Sequence, residues 1–193
     1  MDDSSPQQPA PGSDAVPPEL ADRCAAVEML VLDVDGVLTD GGIIYSDEGV
    51  ELKRFHVRDG SGLKLWQQMG KRSAVLTGRT SRVVDIRAAE VGITRVIQGA
   101  ANKLTAYRQL LAESGVRPEQ VCFIGDDIPD LPVLRHCGLA VAVADACAEV
   151  LAEAHYVTRA PGGRGAVRET IELILRCQGR WQAIVERLRS ERL

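Results

Sequence analysis

Residues 29–39 read MLVLDVDGVLT, an apolar run that ends in two carboxylates, Asp33 and Asp35. The run Met29–Val34, apolar except for Asp33, has the length and composition of a strand that is buried on both faces. On an extended strand, residues two apart point the same way, and two like charges so placed repel unless one is protonated or a cation lies between them. Gly36 then lets the chain turn away. The stretch therefore predicts a buried strand that ends at a charged turn.

The rest of the chain alternates between strand-like and helix-like segments. Four more apolar runs of strand length follow, at 73–76, 94–97, 121–124 and 139–143. Helical spacing of apolar residues predicts helices over 62–69, 81–91, 102–114, 130–136, 163–175 and 181–188. Strands that are apolar throughout and alternate with helices indicate an α/β fold with a mainly parallel sheet between two helical layers. Ligands of such sheets bind at the carboxyl ends of the strands.

Composition excludes several classes of protein. The 193 residues include 23 basic and 27 acidic side chains, a net charge of −4, and contain no basic block that could follow a nucleic-acid backbone. No apolar run approaches the ~20 residues that span a bilayer. The chain begins with Met1, Asp2 and Asp3, which is unlike a secretory signal. The five cysteines are too scattered for a disulfide framework or a zinc site. We expect a cytoplasmic protein that binds neither nucleic acid nor a membrane.

Two segments stand apart from the alternating pattern. Residues 1–22 hold five of the nine prolines, and we expect them to form a flexible tail before a single domain over 23–193. Residues 40–56 interrupt the alternation directly after the first strand. Within them, Gly41–Phe55 reads as a β-hairpin that turns at Ser46–Gly49. The tip of this hairpin could project over the strand ends.

Polar residues with complementary chemistry follow the later strands. Thr77, Gly78 and Arg79 end the run at 73–76, where a hydroxyl and backbone N–H groups could bind a phosphate oxygen. Lys103 opens a helix and can supply a fixed positive charge. The run at 121–124 is followed by a further group of carboxylates, Asp126, Asp127 and Asp130.

Each feature also has a plain structural explanation. Thr77 could cap the helix that begins near Ser81, Lys103 could be a surface lysine, and Asp130 could be an N-cap. Their occurrence in order at successive strand ends favours a functional site. So many clustered carboxylates need a compensating cation, and oxygen ligands without His or Cys favour Mg²⁺. A carboxylate nucleophile, a metal, a hydroxyl and a lysine together predict phosphoryl transfer.

The order and spacing of these residues resemble the haloacid dehalogenase superfamily of phosphatases, over residues 27–178. The likeness is to the capless branch, which has a Rossmann-like three-layer fold and no separate cap domain. Four strings carry it, at 41–45, 55–60, 76–79 and 156–169. The resemblance implies that Asp33 is the nucleophile that forms an aspartyl-phosphate. It implies that Asp35 is the general acid and then the base, which is chemically apt because the leaving oxygen of a phosphate ester needs a proton.

The same resemblance implies the remaining roles. Mg²⁺ would be held by the Asp33 carboxylate, the Asp35 backbone carbonyl and Asp126, with Asp127 and Asp130 acting in support. Thr77, Gly78 and Lys103 would bind the phosphoryl group. Arg58, Arg79 and Arg164 would bind the carboxylate or hydroxyls of the substrate, some across an interface. The family's capless members are tetramers joined through their hairpins, which implies a homotetramer here.

The expected substrate is the phosphate monoester of a sugar acid, with 3-deoxy-D-manno-octulosonate 8-phosphate favoured. Its product would feed the inner core of bacterial lipopolysaccharide. Three alternatives stay open: a phosphatase for a nine-carbon, sialic-acid type 9-phosphate, a catalytically idle oligomerisation module, and a phosphorelay receiver domain. The receiver is disfavoured because it would carry its phosphorylated aspartate after a middle strand. The intact set of Asp33, Asp35, Thr77, Lys103 and Asp126 argues against the idle module.

Overall fold

The computed structural model describes residues 16–190. Six parallel strands form one sheet, and two short antiparallel strands form a separate hairpin. In chain order the strands are β1 (Met29–Leu32), β2 (Ile44–Tyr45), β3 (Glu51–Leu52), β4 (Arg72–Leu76), β5 (Arg95–Ile97), β6 (Val121–Gly125), β7 (Leu139–Ala142) and β8 (Tyr156–Val157). The order across the large sheet is β5-β4-β1-β6-β7-β8.

The register of the sheet places the polar strand ends side by side. β1 is central, and its last residue, Leu32, lies between Val75 of β4 and Ile124 of β6. All four residues of β1 and of β7 are buried, as expected for strands covered on both faces. Because neighbouring strands run parallel and end at the same level, the residues that follow β1, β4 and β6 meet at one edge of the sheet.

Helices cover the sheet. They are α1 (Pro18–Ala26), α2 (Val57–Gln68), α3 (Arg82–Glu90), α4 (Lys103–Ser114), α5 (Leu131–Leu134), α6 (Ala148–Glu153), α7 (Ala166–Cys177) and α8 (Trp181–Ser190). The α7 helix packs on α1, α2 and α8, whereas α5 contacts α4 and α6. Within residues 16–190, no helix combines the length and the apolar character that crossing a membrane would require.

The predicted hairpin is confirmed. Ile44 lies opposite Leu52 and Tyr45 opposite Glu51, and the turn is closed by a hydrogen bond of 2.9 Å from the Gly49 N–H to the Ser46 carbonyl. The fully described stretch between β1 and α2 holds no other sheet and no helix. The prediction that a separate cap domain is missing from this position agrees with the fold.

Three local predictions differ from the structure. The helix α1 begins at Pro18, inside the segment 1–22 that the sequence predicts to be flexible; residues 1–15 of that segment lie outside the described residues. The α2 helix begins at Val57 rather than at 62, so Gly60 and Gly62 lie inside it. Glycine at position 60 allows close packing, since a Cβ there would lie 2.2 Å from the guanidinium of Arg87. The strand β8 and the helix α6 follow β7 and were not predicted.

The buried carboxylate of Asp59 joins α2 to the start of α7. Its oxygens accept hydrogen bonds from the backbone N–H groups of Gly165 (3.2 Å) and Arg168 (2.8 Å), so that it caps α7 from another helix. Burial raises the pKa of Asp59, and these hydrogen bonds oppose the rise. Glu169 makes a second contact of this kind, accepting from the N–H groups of Arg159 and Ala160. These contacts give a structural role to Asp59 and Glu169, which belong to the strings at 55–60 and 156–169.

Replacing Asp59 with alanine is expected to lower the free energy of unfolding by about 1–3 kcal/mol, because two buried N–H groups lose their acceptor. Urea unfolding of the metal-free chain measures the change. Asp22→Ala, at an exposed position of α1, is the matched control and should change stability by less than about 0.5 kcal/mol. Equal stability of the two variants would contradict the capping role of Asp59.

Candidate active site

The turn after β1 is held by its own side chains. The Asp33 N–H donates to the Ile124 carbonyl at 3.1 Å, which extends the pairing of β1 with β6. The buried hydroxyl of Thr39 accepts from the N–H groups of Gly36 (3.4 Å) and Gly41 (3.2 Å) and donates to the Val34 carbonyl (3.3 Å). These contacts fix the backbone that carries Asp33 and Asp35.

Glycine at positions 36 and 162 allows the Asp126 carboxylate and the loop before α7 to lie close to this turn. Gly36 has φ of +89°, and a Cβ at that position would lie 2.0 Å from Oδ2 of Asp126. Gly162, from the loop before α7, packs so closely that a Cβ there would lie 1.6 Å from the Gly36 carbonyl oxygen. A larger residue at position 36 would displace the Asp126 carboxylate, and one at position 162 would displace the backbone at Gly36.

Asp130 organises the end of β6. This residue is fully buried, and its Oδ2 accepts from the backbone N–H groups of Asp126 (3.0 Å) and Asp127 (3.4 Å). Its Oδ1 accepts a hydrogen bond of 2.7 Å from the ammonium of Lys103. Asp130 therefore contacts both the loop after β6 and Lys103, and the supporting role predicted for it stays a prediction.

Lys103 links the two strand ends. It is the first residue of α4, it is buried, and its Nζ lies 3.0 Å from Asp33 Oδ2. Burial disfavours its charged form, but the two carboxylates outweigh that effect and raise the pKa of Lys103. The lysine is therefore a permanent positive charge beside the predicted nucleophile.

Three carboxylates converge at the centre of the site. Each of these carboxylates has one oxygen atom within 4.8 Å of an oxygen of the other two; they belong to Asp33, Asp126 and Asp130. Burial, with a contribution from the neighbouring carboxylates, raises the pKa of Asp33 to about 6 and that of Asp126 to about 8. Among the described residues, Oδ1 of Asp33 and Oδ1 of Asp126 are buried without a hydrogen-bond partner. A cluster of carboxylates that includes buried, unpartnered oxygens fits a hard divalent cation such as Mg²⁺.

Thr77 and Gly78 follow β4 on the other side of Asp33. The Thr77 N–H donates to the Ile97 carbonyl at 2.9 Å, which places this turn beside the end of β5. Together with the carboxylates they line an open cleft of about 200 Å³. The residues that line it are Asp33, Asp35, Thr77, Gly78, Arg79, Lys103, Asp126, Asp127, Pro129 and Asp130. Of the predicted site residues, all but Arg58 and Arg164 meet in this cleft.

Two hairpin residues that were not predicted as site residues contact side chains of this cleft. The ammonium of Lys53 forms an ion pair with Asp35 Oδ1 and lies 3.5 Å from Oε1 of Glu51. Glu51 also accepts a hydrogen bond of 2.7 Å from Arg79. Residues 51 and 53 are two apart, so they share one face of an extended strand. That spacing was the available signal, but the sequence did not say which face meets the site.

Arg58 and Arg164 lie elsewhere. They line a separate surface groove that also includes Arg168, Glu169 and Glu172. The guanidinium of Arg164 lies 3.7 Å from Asp40 Oδ2. Of the three arginines predicted to bind the substrate, Arg79 is the one that lies beside the carboxylates in the described chain. Its Nε is 3.4 Å from Asp35 Oδ2. A substrate-binding role for the other two stays a prediction.

Known proteins are similar to this chain in sequence and fold. A family model described as haloacid dehalogenase-like hydrolase matches residues 63–168. The 3-deoxy-D-manno-octulosonate 8-phosphate phosphatase of Yersinia pestis is 48% identical over 160 residues, which are 83% of this chain and 86% of the relative. A crystal structure of the Yersinia pestis phosphatase matches with a TM-score of 0.85 and 47% identity, and covers 86% of this chain and 90% of that one.

A second relative was solved with ligands. The Moraxella catarrhalis 3-deoxy-D-manno-octulosonate 8-phosphate phosphatase, in complex with a magnesium ion, a phosphate ion and a KDO molecule, is 42% identical with a TM-score of 0.86. The match covers 88% of this chain and 98% of that chain. The chain belongs to the haloacid dehalogenase-like hydrolase family, in the branch that contains the 3-deoxy-D-manno-octulosonate 8-phosphate phosphatases.

Proposed function

We propose that this chain is a Mg²⁺-dependent phosphatase that hydrolyses 3-deoxy-D-manno-octulosonate 8-phosphate. The observation that carries the proposal is the convergence of Asp33, Asp126 and Asp130 beside Lys103. One oxygen of Asp33 and one of Asp126 are buried there without a hydrogen-bond partner among the described residues. The named relatives, which this chain matches over most of their length, support the choice of substrate.

The residues of the cleft have different roles in the proposed reaction. Asp33 attacks the phosphorus atom, and Asp35 gives its proton to the leaving sugar oxygen. Asp35, now ionised, takes a proton from the water that attacks the aspartyl-phosphate, which releases inorganic phosphate and restores Asp33. Lys103 and the N–H and hydroxyl groups at Thr77 and Gly78 hold the phosphoryl oxygens.

The carboxylates of Asp33 and Asp126 and the backbone carbonyl of Asp35 would hold Mg²⁺. When bound, the ion supplies positive charge that offsets the clustered carboxylates and polarises the phosphoryl group. Asp130 keeps Lys103 and the backbone of Asp126 and Asp127 in place through the contacts described above.

Phosphate release from a panel of sugar phosphates, with Mg²⁺ and with EDTA, tests the proposal. The panel contains octulosonate 8-phosphate, nine-carbon sugar-acid 9-phosphates and hexose phosphates. We expect Mg²⁺-dependent release with a strong preference for the octulosonate. Preference for a nine-carbon acid would overturn the substrate and keep the chemistry. Failure to release phosphate from any substrate by a folded, Mg²⁺-loaded chain would favour the idle oligomerisation module.

We also propose a homotetramer joined through the hairpin. Ile44 and Leu52 are paired residues on one face of the hairpin, and Val50 lies on the same side by its spacing; about half of each side chain is exposed, at 45%, 51% and 53%. The opposite face carries the residues that contact Asp35 and Arg79. An apolar face on a two-stranded ribbon favours burial against other copies of the chain.

Leu52→Glu is expected to convert the tetramer to smaller species, because the association would bury a charge. Light scattering coupled to size-exclusion chromatography measures the molecular mass. The matched control is Ile86→Glu, at an exposed position of α3 outside the hairpin, which should leave the mass unchanged. A wild-type chain that is monomeric at micromolar concentration would refute the tetramer.

A cytoplasmic location completes the proposal. All five cysteines are free in the described chain, and reduced thiols are typical of that compartment. Cell fractionation with an antibody against the chain tests the location, and recovery from the periplasm would overturn it.

A further inference from the structure

The hairpin makes a direct contact with Asp35. Lys53 follows β3, and its side chain is 2% exposed although it carries a charge. A buried ammonium is costly unless it is paired. Its partners are Oδ1 of Asp35 and, at 3.5 Å, Oε1 of Glu51. The lysine is therefore fixed between the hairpin and the turn that follows β1.

The two oxygens of Asp35 have different surroundings. Oδ1 is engaged by Lys53. Oδ2 lies 3.4 Å from Nε of Arg79, but that N–H has no hydrogen-bond partner among the described residues, and Nη2 of Arg79 is bound to Glu51 at 2.7 Å. Oδ2 is thus the oxygen that is left available for a proton and for the substrate.

We propose that Lys53 is a positioning residue for the proton transfers of Asp35. By holding Oδ1, it orients the carboxyl group so that Oδ2 carries the transferred proton. This inference rests on the proposed phosphatase function. In the first step, a bond forms between Asp33 and phosphorus, the bond between phosphorus and the sugar oxygen breaks, and the proton moves from Oδ2 to that oxygen. In the second step, water attacks phosphorus, its proton moves to Oδ2, and the bond to Asp33 breaks.

Substrates with different leaving groups distinguish a positioning role of Lys53 from a merely structural one. An alkyl alkoxide is a strong base and needs the proton as the bond to phosphorus breaks, whereas 2,4-dinitrophenolate is a weak base and leaves without one. The ratio kcat/KM compares the transition state with free enzyme and substrate. Loss of orientation at Asp35 should therefore lower kcat/KM for an alkyl phosphate and spare it for the dinitrophenyl ester. A distorted chain would lose both.

The test compares Lys53→Met and Lys53→Arg with the wild type on three substrates: octulosonate 8-phosphate, glycerol phosphate and 2,4-dinitrophenyl phosphate. For Lys53→Met we expect kcat/KM for the two alkyl phosphates to fall about 100-fold, within the range of general acid catalysis. The value for the dinitrophenyl ester should stay near that of the wild type. Lys53→Arg keeps the charge and should recover part of the loss on the alkyl phosphates.

Arg54→Met is the matched control. Arg54 is the next residue, it is also paired with an aspartate, Asp40, and its side chain is largely exposed outside the cleft. It should leave the ratio between the substrates unchanged. Thermal unfolding and molecular mass of each variant report folding and assembly.

Two results would overturn the positioning role: equal losses on alkyl and aryl esters in both lysine variants, or full activity of Lys53→Met on the alkyl esters. A wild-type chain that cleaves the aryl ester but no alkyl phosphate would overturn the proposed function, and with it the need for an acid at Asp35. Failure of the positioning role alone leaves alkyl phosphate turnover intact in the wild type, so the two failures are distinguishable.

Discussion

Asp33→Asn is expected to abolish phosphate release, with kcat at least about 10⁴-fold below the wild type, because the amide cannot attack phosphorus. The fold should survive the change. Burial, reinforced by the charge of Asp130, raises the pKa of Asp33 to about 6, so the folded chain does not favour a charge at this position. Asparagine has nearly the same shape and is neutral. Phosphate release and thermal unfolding of the same sample measure the two effects.

The control for this prediction is Asp85→Asn, at an exposed aspartate of α3, which should keep wild-type turnover. Unchanged turnover in Asp33→Asn would remove the assignment of the nucleophile. A loss of turnover together with a large drop in the melting temperature would show only that the site had collapsed, and Asp33→Glu would then be compared, since it keeps the charge and displaces the attacking oxygen.

Asp126→Asn is expected to stabilise the metal-free chain while removing Mg²⁺-dependent activity. Burial and the nearby carboxylates raise the pKa of Asp126 from 3.8 to about 8. Between these two pH values the folded chain binds more protons than the unfolded chain, so the stability of the metal-free wild type falls as pH rises through this interval. Asparagine has no such dependence. At pH 8.5 the variant should therefore be more stable by about 2 kcal/mol or more, since one pKa unit is worth about 1.4 kcal/mol.

Thermal unfolding in EDTA at pH 5 and pH 8.5 measures this difference, which should shrink at pH 5, where Asp126 of the folded wild type is protonated. Adding Mg²⁺ at pH 8.5 should raise the melting temperature of the wild type and have little effect on the variant. A metal-free variant that is less stable than the wild type at pH 8.5 would contradict the picture of mutually repelling carboxylates. So would a wild type that Mg²⁺ does not stabilise.

The sequence predicts the central sheet well because its central strands are largely apolar and are followed by Asp, Thr or Gly residues, which mark the strand ends. The runs at 121–124 and 139–143 correspond to β6 and β7 within one residue at each end. Where local composition and tertiary packing disagree, the prediction fails. Pro17 and Pro18 suggested flexibility, yet Pro18 opens α1, a position where its missing N–H has no cost. The end of that helix is held by Gln178, which donates to the carbonyls of Cys24 (3.0 Å) and Val27 (2.9 Å).

The candidate site, too, could be predicted where local sequence decides and not where tertiary packing decides. Asp33, Thr77 and Asp126 could be predicted to meet because each comes directly after a strand, and parallel strands bring such residues to one edge. Lys53 and Glu51 could not be placed in this way. Their contact with Asp35 and Arg79 depends on how the hairpin folds back over the edge, which local pattern does not encode.

The close approach of Gly162 to the turn at Gly36 has a consequence for the synthesis of this protein. Every side chain proposed to take part in the chemistry lies between residues 33 and 130, but the backbone that presses on the Gly36 carbonyl comes more than thirty residues later. A ribosome therefore exposes all the reacting carboxylates well before it exposes the loop that seats them. Until the loop at Gly162 has emerged, the turn that carries Asp33 and Asp35 lacks one of the backbone contacts that hold it in the folded chain.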